Sequence, residues 1–320
     1  MIRKAFKIIG YTLLILLILF CILPYLFPVE QDELATGKKP YPNSKFIDAG
    51  KTHIHYRVWK PDTIKHKFFF VHGFSGSTFC WRNNIDTLVK NNCLVMAIDL
   101  PAFGFSDKSD TADYSLEHVF AIINSICDEY KDVLSEEKWN FVGHSMGAAI
   151  AGTFAGNFPE RVRTLTLVDG APINADTRMN FGMIFKFPPL LRWADVAAKY
   201  TANEKTFKEL VSSGYSREAD TTEVNGYLRP FLYKHSGAAI LRMAAAQDGI
   251  KLNQENLSKL PVSIIWGDAD TWLPISGMRN FLKKFPKAKG YVIKGAGHCS
   301  METHAAQINA VLLRQAGVNP

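Results

Sequence analysis

Phe141-Val142-Gly143-His144-Ser145-Met146-Gly147-Ala148-Ala149 is the stretch whose reading decides the fold of this 320-residue chain. A β-prone run, Trp139 to Val142, leads into Gly143-His144-Ser145-Met146-Gly147, and small, helix-prone residues from Ala148 to Ala155 lead out. The order is strand, sharp turn, helix, with a serine at the apex, and G-x-S-x-G in that setting is a nucleophile elbow. The turn forces Ser145 into a strained backbone conformation, and glycines two residues to either side let neighbouring chain approach without Cβ clashes. The strain aims the hydroxyl out of the sheet, and the helix N-terminus beneath it favours developing negative charge.

Upstream of the elbow, Lys67 to Val71 is a continuous apolar run, as expected of a strand buried on both faces, and it ends in His72-Gly73-Phe74-Ser75-Gly76-Ser77. A helical stretch from Trp81 to Lys90 precedes a strand from Cys93 to Ile98, and a helix from Ser115 to Tyr130 precedes the elbow strand. Thr164 to Asp169 is the next strand. Strand and helix alternating in this way predict a mostly parallel sheet flanked by helices on both faces. Nearer the N-terminus, Lys45–Asp48 and His53–Trp59 flank the turn Ala49-Gly50-Lys51-Thr52, an antiparallel hairpin. His53 and His55 share one face of its second strand; with no third ligand in reach of sequence they read as solvent-facing residues rather than a metal pair.

The alternation stops between about Ala171 and Leu260. This stretch is helix-prone, broken at Pro188-Pro189, Gly214, Gly226 and Gly237, and rich in side chains such as Phe181, Met183, Trp193, Tyr227 and Met243. It is expected to be a helical cap over the sheet's carboxyl edge, most of its aromatics forming its own core and a few lining a pocket. Alternation resumes at Pro261–Trp266, followed by Gly267-Asp268-Ala269-Asp270-Thr271-Trp272-Leu273-Pro274, a helix from Ser276 to Phe285, a strand from Gly290 to Ile293, Gly295-Ala296-Gly297-His298 and a last helix from Met301 to Gln315.

Ile8 to Phe27 is an uncharged, apolar run of the length that spans a bilayer as a helix. Arg3, Lys4 and Lys7 precede it and Glu30, Asp32 and Glu33 follow. The charge bias puts the N-terminus in the cytoplasm and the catalytic domain across the membrane. A cleaved signal peptide, and hence secretion, is the competing reading; against it, the run is long for such a segment and no small-x-small site follows cleanly. The expected organisation is therefore an N-terminal transmembrane anchor over 1–28, a Pro- and Gly-punctuated linker over 29–44, the first part of the core over 45–170, the cap over 171–260 and the second part of the core over 261–320.

Composition narrows the function classes. The chain is 47% hydrophobic and 21% charged with a formal net charge of +7, but its Lys and Arg residues are scattered and no basic-aromatic module appears, so no nucleic-acid partner is expected. A mild attraction to anionic lipid is compatible with that charge. Cys21, Cys80, Cys93, Cys127 and Cys299 are odd in number and contain no C-x-x-C, which is neither a disulfide framework nor a zinc pattern. No metal or organic cofactor is expected.

Ser145, then an acid after a late strand, then a histidine after the final strand is an order that resembles the α/β-hydrolase fold. The resemblance covers residues from about 45 to 317. Five stretches carry it: His72-Gly73-Phe74, Asp99-Leu100-Pro101-x-Phe103-Gly104-x-Ser106, Gly143-His144-Ser145-Met146-Gly147, Gly267-x-x-Asp270-x-x-x-Pro274 and Gly297-His298. The N-terminal anchor and the HGFS and IIWG stretches look most like the membrane-anchored monoacylglycerol-lipase and esterase branch. A serine hydroxyl needs a base to become a nucleophile, and His298, alone among nine histidines in a glycine-flanked loop after the last strand, is the candidate. The imidazole in turn needs a carboxylate to orient it. Asp268 and Asp270 both follow the seventh strand position; the family pattern maps onto Asp270 and leaves Asp268 as a turn residue. The resemblance assigns the oxyanion hole to the backbone N–H groups of Phe74 and Met146. His72, Asp99 and Ser106 are expected to be structural, and Ala102 stands where the family often has glycine.

The expectation is thus a serine hydrolase that cleaves carboxylic esters through an acyl-enzyme, acting on hydrophobic or lipid-derived substrates such as monoacylglycerols. Dehalogenases and epoxide hydrolases of this fold place Asp at the elbow, which Ser145 disfavours. Carbon–carbon bond hydrolases, thioesterases and amidases on the same fold stay open, as does a ligand-binding receptor with vestigial turnover.

Overall fold

The computed structural model describes residues 2–29, 39–135, 137–172, 184–246 and 252–318. The first helix, α1 (Ile2–Ile22), runs on through a short 3-10 turn at Leu23–Leu26. Strands β1 (Ser44–Ala49) and β2 (Thr52–Trp59) form the expected antiparallel hairpin. They lead into β3 (His66–Val71), helix α2 (Arg82–Lys90), β4 (Cys93–Ile98), α3 (Leu116–Glu129), β5 (Trp139–His144), α4 (Met146–Asn157) and β6 (Val162–Val168). After an insertion come β7 (Val262–Gly267), α10 (Ser276–Lys284), β8 (Lys289–Ile293), α11 (Ser300–Thr303) and α12 (Ala305–Ala316). The eight strands lie in the order β1-β2-β4-β3-β5-β6-β7-β8, and β3 to β8 are all parallel.

The inner strands are mostly apolar, as befits strands covered on both faces, with Lys67, Asn140, Thr164, Thr166 and Ser263 among the buried exceptions. Successive side chains point to opposite faces. Phe69, Leu94, Phe141 and Leu165 therefore join Phe120, Ile123 and Phe154 of α3 and α4 on one side. Phe68, Phe70, Val95 and Val142 meet Trp81, Leu88, Ile308 and Leu312 on the other. Parallel strands all present their carboxyl ends to one edge, so the loops after β3, β5, β7 and β8 gather there.

The histidine pair departs from expectation. His53 is half exposed and lies 2.5 Å from Asp48 Oδ1, but His55 is fully buried. The loop after β4 folds back over the middle of β2, where Asp99 N–H donates to His55 O at 2.9 Å and Asp107 N–H to His53 O at 2.8 Å. Under that cover His55 Nδ1 meets Asp99 Oδ2 at 2.7 Å and Nε2 meets Ser44 Oγ at 2.7 Å. Asp99 also accepts the N–H groups of Thr78 (2.6 Å) and Phe105 (2.8 Å). Burial opposes its charge, but His55 and these donors outweigh burial and hold its carboxyl down to about 2. Asp99 is thus a peg for the turn after β4, in which Ala102 adopts φ 77° and Gly104 φ 53°. A Cβ on Gly104 would lie 2.0 Å from Asp99 Oδ2.

The insertion between β6 and β7 holds helices α5 (Pro188–Thr201), α6 (Glu204–Tyr215), α7 (Thr221–Leu228), α8 (Ser236–Ala245) and the short α9 (Gln254–Leu257). Phe181 and Met183, read as cap aromatics and methionines, lie outside the described residues, as does 30–38 of the linker. Buried Asp195 of α5 accepts the Ala238 N–H of α8 at 2.8 Å, and Asp220 and Glu223 start α7 with a reciprocal capping box. Arg3–Leu26 is long and apolar enough to cross a membrane, with mean hydropathy 2.6 over its most apolar 18 residues, none of which is buried. Its far end docks on α5: the Trp193 indole N–H donates to Phe20 O at 2.9 Å, and Arg192 to Pro24 O at 3.2 Å and Phe27 O at 2.8 Å.

Candidate active site

Ser145 joins β5 to α4 with φ 51° and ψ −118°, a conformation that L-residues adopt only under constraint. The constraint is visible in its neighbours. A Cβ on Gly147 would lie 2.3 Å from the carbonyl oxygens of Val71 and His72, and one on Gly143 would lie 2.3 Å from Gly147 O. The elbow is therefore wedged against the end of β3, and Ser145 N–H is held by Val168 O at 2.9 Å.

The Ser145 hydroxyl lies 2.9 Å from His298 Nε2, and His298 Nδ1 lies 2.8 Å from Asp270 Oδ2. A carboxylate only accepts, so Nδ1 carries the proton and Nε2 is left free to accept from the serine. The other Asp270 oxygen accepts the N–H groups of Trp272 (2.8 Å) and Leu273 (3.0 Å), which fixes the carboxylate's orientation. The His298 and Asp270 side chains are 4% and 0% exposed, so water screens this pair little. Asp268 turns its carboxylate away to the Gly295 N–H at 2.7 Å. The structure thus brings Ser145, His298 and Asp270 into one chain of contacts and leaves Asp268 in a turn.

Met146 is the first residue of α4, where backbone N–H groups have no intrahelical partner. The loop that carries Phe74 reaches the same spot: a Cβ on Gly73 would sit 3.0 Å from Ser145 Cβ. His72 shapes that loop, donating from Nδ1 to Gly73 O at 2.7 Å and accepting the Leu100 N–H at Nε2 at 3.0 Å. Burial lowers its pKa, consistent with this neutral, two-sided use.

Two site residues were not singled out by motif. His144 Nε2–H donates to the His298 carbonyl at 2.8 Å. Burial, reinforced by the nearby His298, pushes its pKa down to about 3, so it is neutral at ordinary pH. Asp169 accepts the Gly267 N–H (2.8 Å), the Ser300 N–H (3.0 Å) and the Ser300 hydroxyl (2.5 Å), tying the ends of β6 and β7 to the start of α11. Burial raises its carboxyl to about 7 against those hydrogen bonds. The available signal was the one charged residue in the run Thr164–Asp169.

Two cavities meet at Ser145. One is enclosed, of ≈ 330 Å³, and is lined by Phe74, Val211, Tyr227, Trp272, His298 and Cys299 among others. The other, of ≈ 560 Å³, is more open and runs past Met146, Trp266, Leu273, Phe281 and Phe285. A larger depression of ≈ 650 Å³ between α6 and α7, lined by Glu204, Lys208 and Asp220, contains none of Ser145, His298 and Asp270. Among the described residues no group of three or more His, Cys, Asp or Glu side chains is arranged to hold a metal ion.

Residues 68–305 match the sequence model of the alpha/beta hydrolase fold. An uncharacterised hydrolase of Bacillus subtilis, YugF, is 27% identical over 233 residues, covering 71% of this chain and 81% of that protein. The human monoacylglycerol lipase ABHD6 is 25% identical over 242 residues, 73% of this chain and 70% of that one. Among solved structures, a membrane phospholipase A superposes with a TM-score of 0.64 at 19% identity and covers 99% of both chains, which extends the shared fold across nearly the whole length. With its parallel sheet, inserted helices and elbow serine, and with three quarters of its length matched, the chain belongs to the α/β-hydrolase family.

Proposed function

We propose that this protein is a serine hydrolase of hydrophobic, lipid-derived carboxylic esters, with monoacylglycerol-like substrates the best fit. The observation that carries the reading is the Ser145–His298–Asp270 chain, with contacts of 2.9 and 2.8 Å, opening onto an enclosed, mostly apolar cavity. Ser145 Oγ attacks the ester carbonyl while His298 Nε2 takes its proton, forming a tetrahedral oxyanion. The backbone N–H groups of Met146 and Phe74 stabilise that oxyanion. His298 then returns the proton to the departing alcohol, leaving an acyl-enzyme. Water, deprotonated by the same nitrogen, attacks the acyl carbon and releases the acid and the free serine. Asp270 does not exchange protons; it holds the imidazole tautomer and stabilises the imidazolium.

Three further features support a lipid-like substrate: the apolar helix at residues 3–26, the docking of its end on the cap, and similarity to a relative named as a monoacylglycerol lipase. We read the helix as an uncleaved anchor with its basic end in the cytoplasm, so that the catalytic domain works on the opposite side of the bilayer. The insertion over about 171–260 is read as the cap that shapes the pocket. The enclosed cavity of ≈ 330 Å³ is read as the acyl-chain site. The test is labelling by a fluorophosphonate probe, together with hydrolysis of esters graded by acyl length, on the wild type and Ser145→Ala. Covalent labelling that vanishes in the variant, with ester hydrolysis lost in step, is the expected result. Labelling that persists in Ser145→Ala, or none in the wild type, refutes the reading.

A further inference from the structure

The cap does more than cover the pocket. The carboxyl-terminal turn of α6 lies across both loops that carry the proposed base and acid. On the histidine side, the Cys299 N–H, one residue after His298, donates to Gly214 O at 3.1 Å. A Cβ on Gly297, one residue before it, would lie 2.6 Å from both Gly214 O and Ser216 Oγ, so that side is in close backbone contact. On the acid side, the Ser216 hydroxyl donates to Ala269 O at 3.0 Å. The Trp272 indole N–H donates to Ser213 Oγ at 2.9 Å, while the same indole lies 5.1 Å from the His298 ring between centroids. Ser216 adopts φ 54° to end the helix there, so the turn's shape is specified and not incidental.

What keeps this turn in place is a buried polar knot. Glu302, with its side chain fully buried, receives hydrogen bonds from Arg82 of α2, from Tyr215 of α6 (2.6 Å) and from Tyr227 of α7. Tyr215 is the last residue of α6, directly between the residues that contact the two loops. Arg82 also reaches Glu223 of α7 at 3.6 Å. Glu302 itself stands four residues beyond His298. A buried carboxylate with three donors is satisfied only in one arrangement of its partners, so it fixes geometry more than it adds stability.

We propose that the end of α6 is a clamp across the histidine and acid loops, and that Glu302 is the positioning residue that holds the clamp. This rests on the hydrolase reading above. Glu302 touches no substrate; it acts on His298 through α6, holding the Asp270–His298–Ser145 register. The consequence is a dependence of chemistry on the cap even for a substrate too short to fill the pocket.

The experiment uses the full-length, detergent-solubilised protein with Glu302→Gln, which keeps shape and removes charge, and Ser213→Ala, an exposed position. Three readouts are taken: the second-order rate of fluorophosphonate labelling, kcat and KM for an acetate ester, and the pH profile of kcat/KM. Small misplacements of reacting groups are costly, so Glu302→Gln is expected to lower labelling and kcat roughly tenfold, with KM within about twofold and the acid limb of the profile displaced. Ser213→Ala is expected to move the same quantities in the same direction, roughly threefold. Folded Glu302→Gln with unchanged labelling and kcat overturns the proposal, as does a loss confined to KM. If Glu302→Gln does not fold, Ser213→Ala decides, and unchanged labelling in it overturns the proposal. A wild type that does not label strikes down the hydrolase reading and the clamp together, an outcome distinct from variants that match an active wild type.

Discussion

His144 offers a test of the site's electrostatics that needs no substrate. It is buried, donates Nε2–H to the His298 carbonyl at 2.8 Å, and has its pKa pushed down to about 3 by burial and the neighbouring histidine. In the unfolded chain it titrates near about 6.5. Between those values the unfolded state binds a proton that the folded state refuses. Stability from this group is therefore fully present above the unfolded value and is lost as pH falls through it toward the folded value. At about pH 4.5 the folded and unfolded states differ by roughly 3 kcal/mol on this account. Asp169, raised to about 7, and Glu302, also raised, act with the opposite sign in this window, since each binds its proton more tightly when folded. The raw slope therefore mixes them, and the informative quantity is the difference between wild type and His144→Gln, whose amide can still donate to His298 O. Urea unfolding of the detergent-solubilised proteins, followed by tryptophan fluorescence, measures it. From about pH 7.5 to 4.5 the wild type should lose about 3 kcal/mol relative to the variant. Parallel curves, with a difference that changes by less than about 0.5 kcal/mol, would refute the assignment of a buried neutral imidazole. Asp99, held down to about 2, contributes only below this window.

Asp270→Asn should lower kcat by about 10⁴-fold, because the amide no longer selects the Nδ1–H tautomer. Asp268→Asn, which changes only a turn contact to Gly295, should cost less than about fivefold, and steady-state kinetics on one ester separates the two. Gly147→Ala places a methyl 2.3 Å from two backbone carbonyl oxygens that cannot yield, so a loss of about 3 kcal/mol or more, or no folded protein, is expected in thermal unfolding. Arg192→Ala combined with Trp193→Phe should speed amide hydrogen exchange in α5 while leaving hydrolysis of an acetate ester within about twofold, because α5 contacts α1 and not the triad.

The parts of this molecule that sequence exposes are those whose chemistry is written locally. The elbow is a run of adjacent residues, and the apolar run of β3 announces its double burial without any knowledge of partners. The order of Ser145, an acid and His298 along the chain carried the resemblance from which their meeting was expected, and the family pattern chose Asp270 over Asp268. What stayed hidden depends on residues far apart in sequence. His55 shares a strand face with His53 and looks equally exposed, until the loop after β4 closes over it and supplies Asp99. Asp169 reads as the polar end of an apolar strand, and only the arrival of Gly267 and Ser300, about 100 and 131 positions later, reveals what it holds. Glu302 looks like the start of an amphipathic helix; its partners come from α2, α6 and α7. Polar knots of this kind have no periodicity to betray them.

The docking of Trp193 and Arg192 on Phe20, Pro24 and Phe27 bears on how the protein is handled. The usual route to a tractable sample is to trim the apolar N-terminal helix and express what remains. Here that cut would strip three hydrogen bonds and the tilted ring contacts of Phe20 and Phe27 on Trp193 from a helix that packs directly on α8. The trimmed protein should keep its sheet and its serine, yet carry a loosened α5 and a newly exposed tryptophan. The end of α6 is not touched by that cut, so rates on short esters should carry over from one sample to the other.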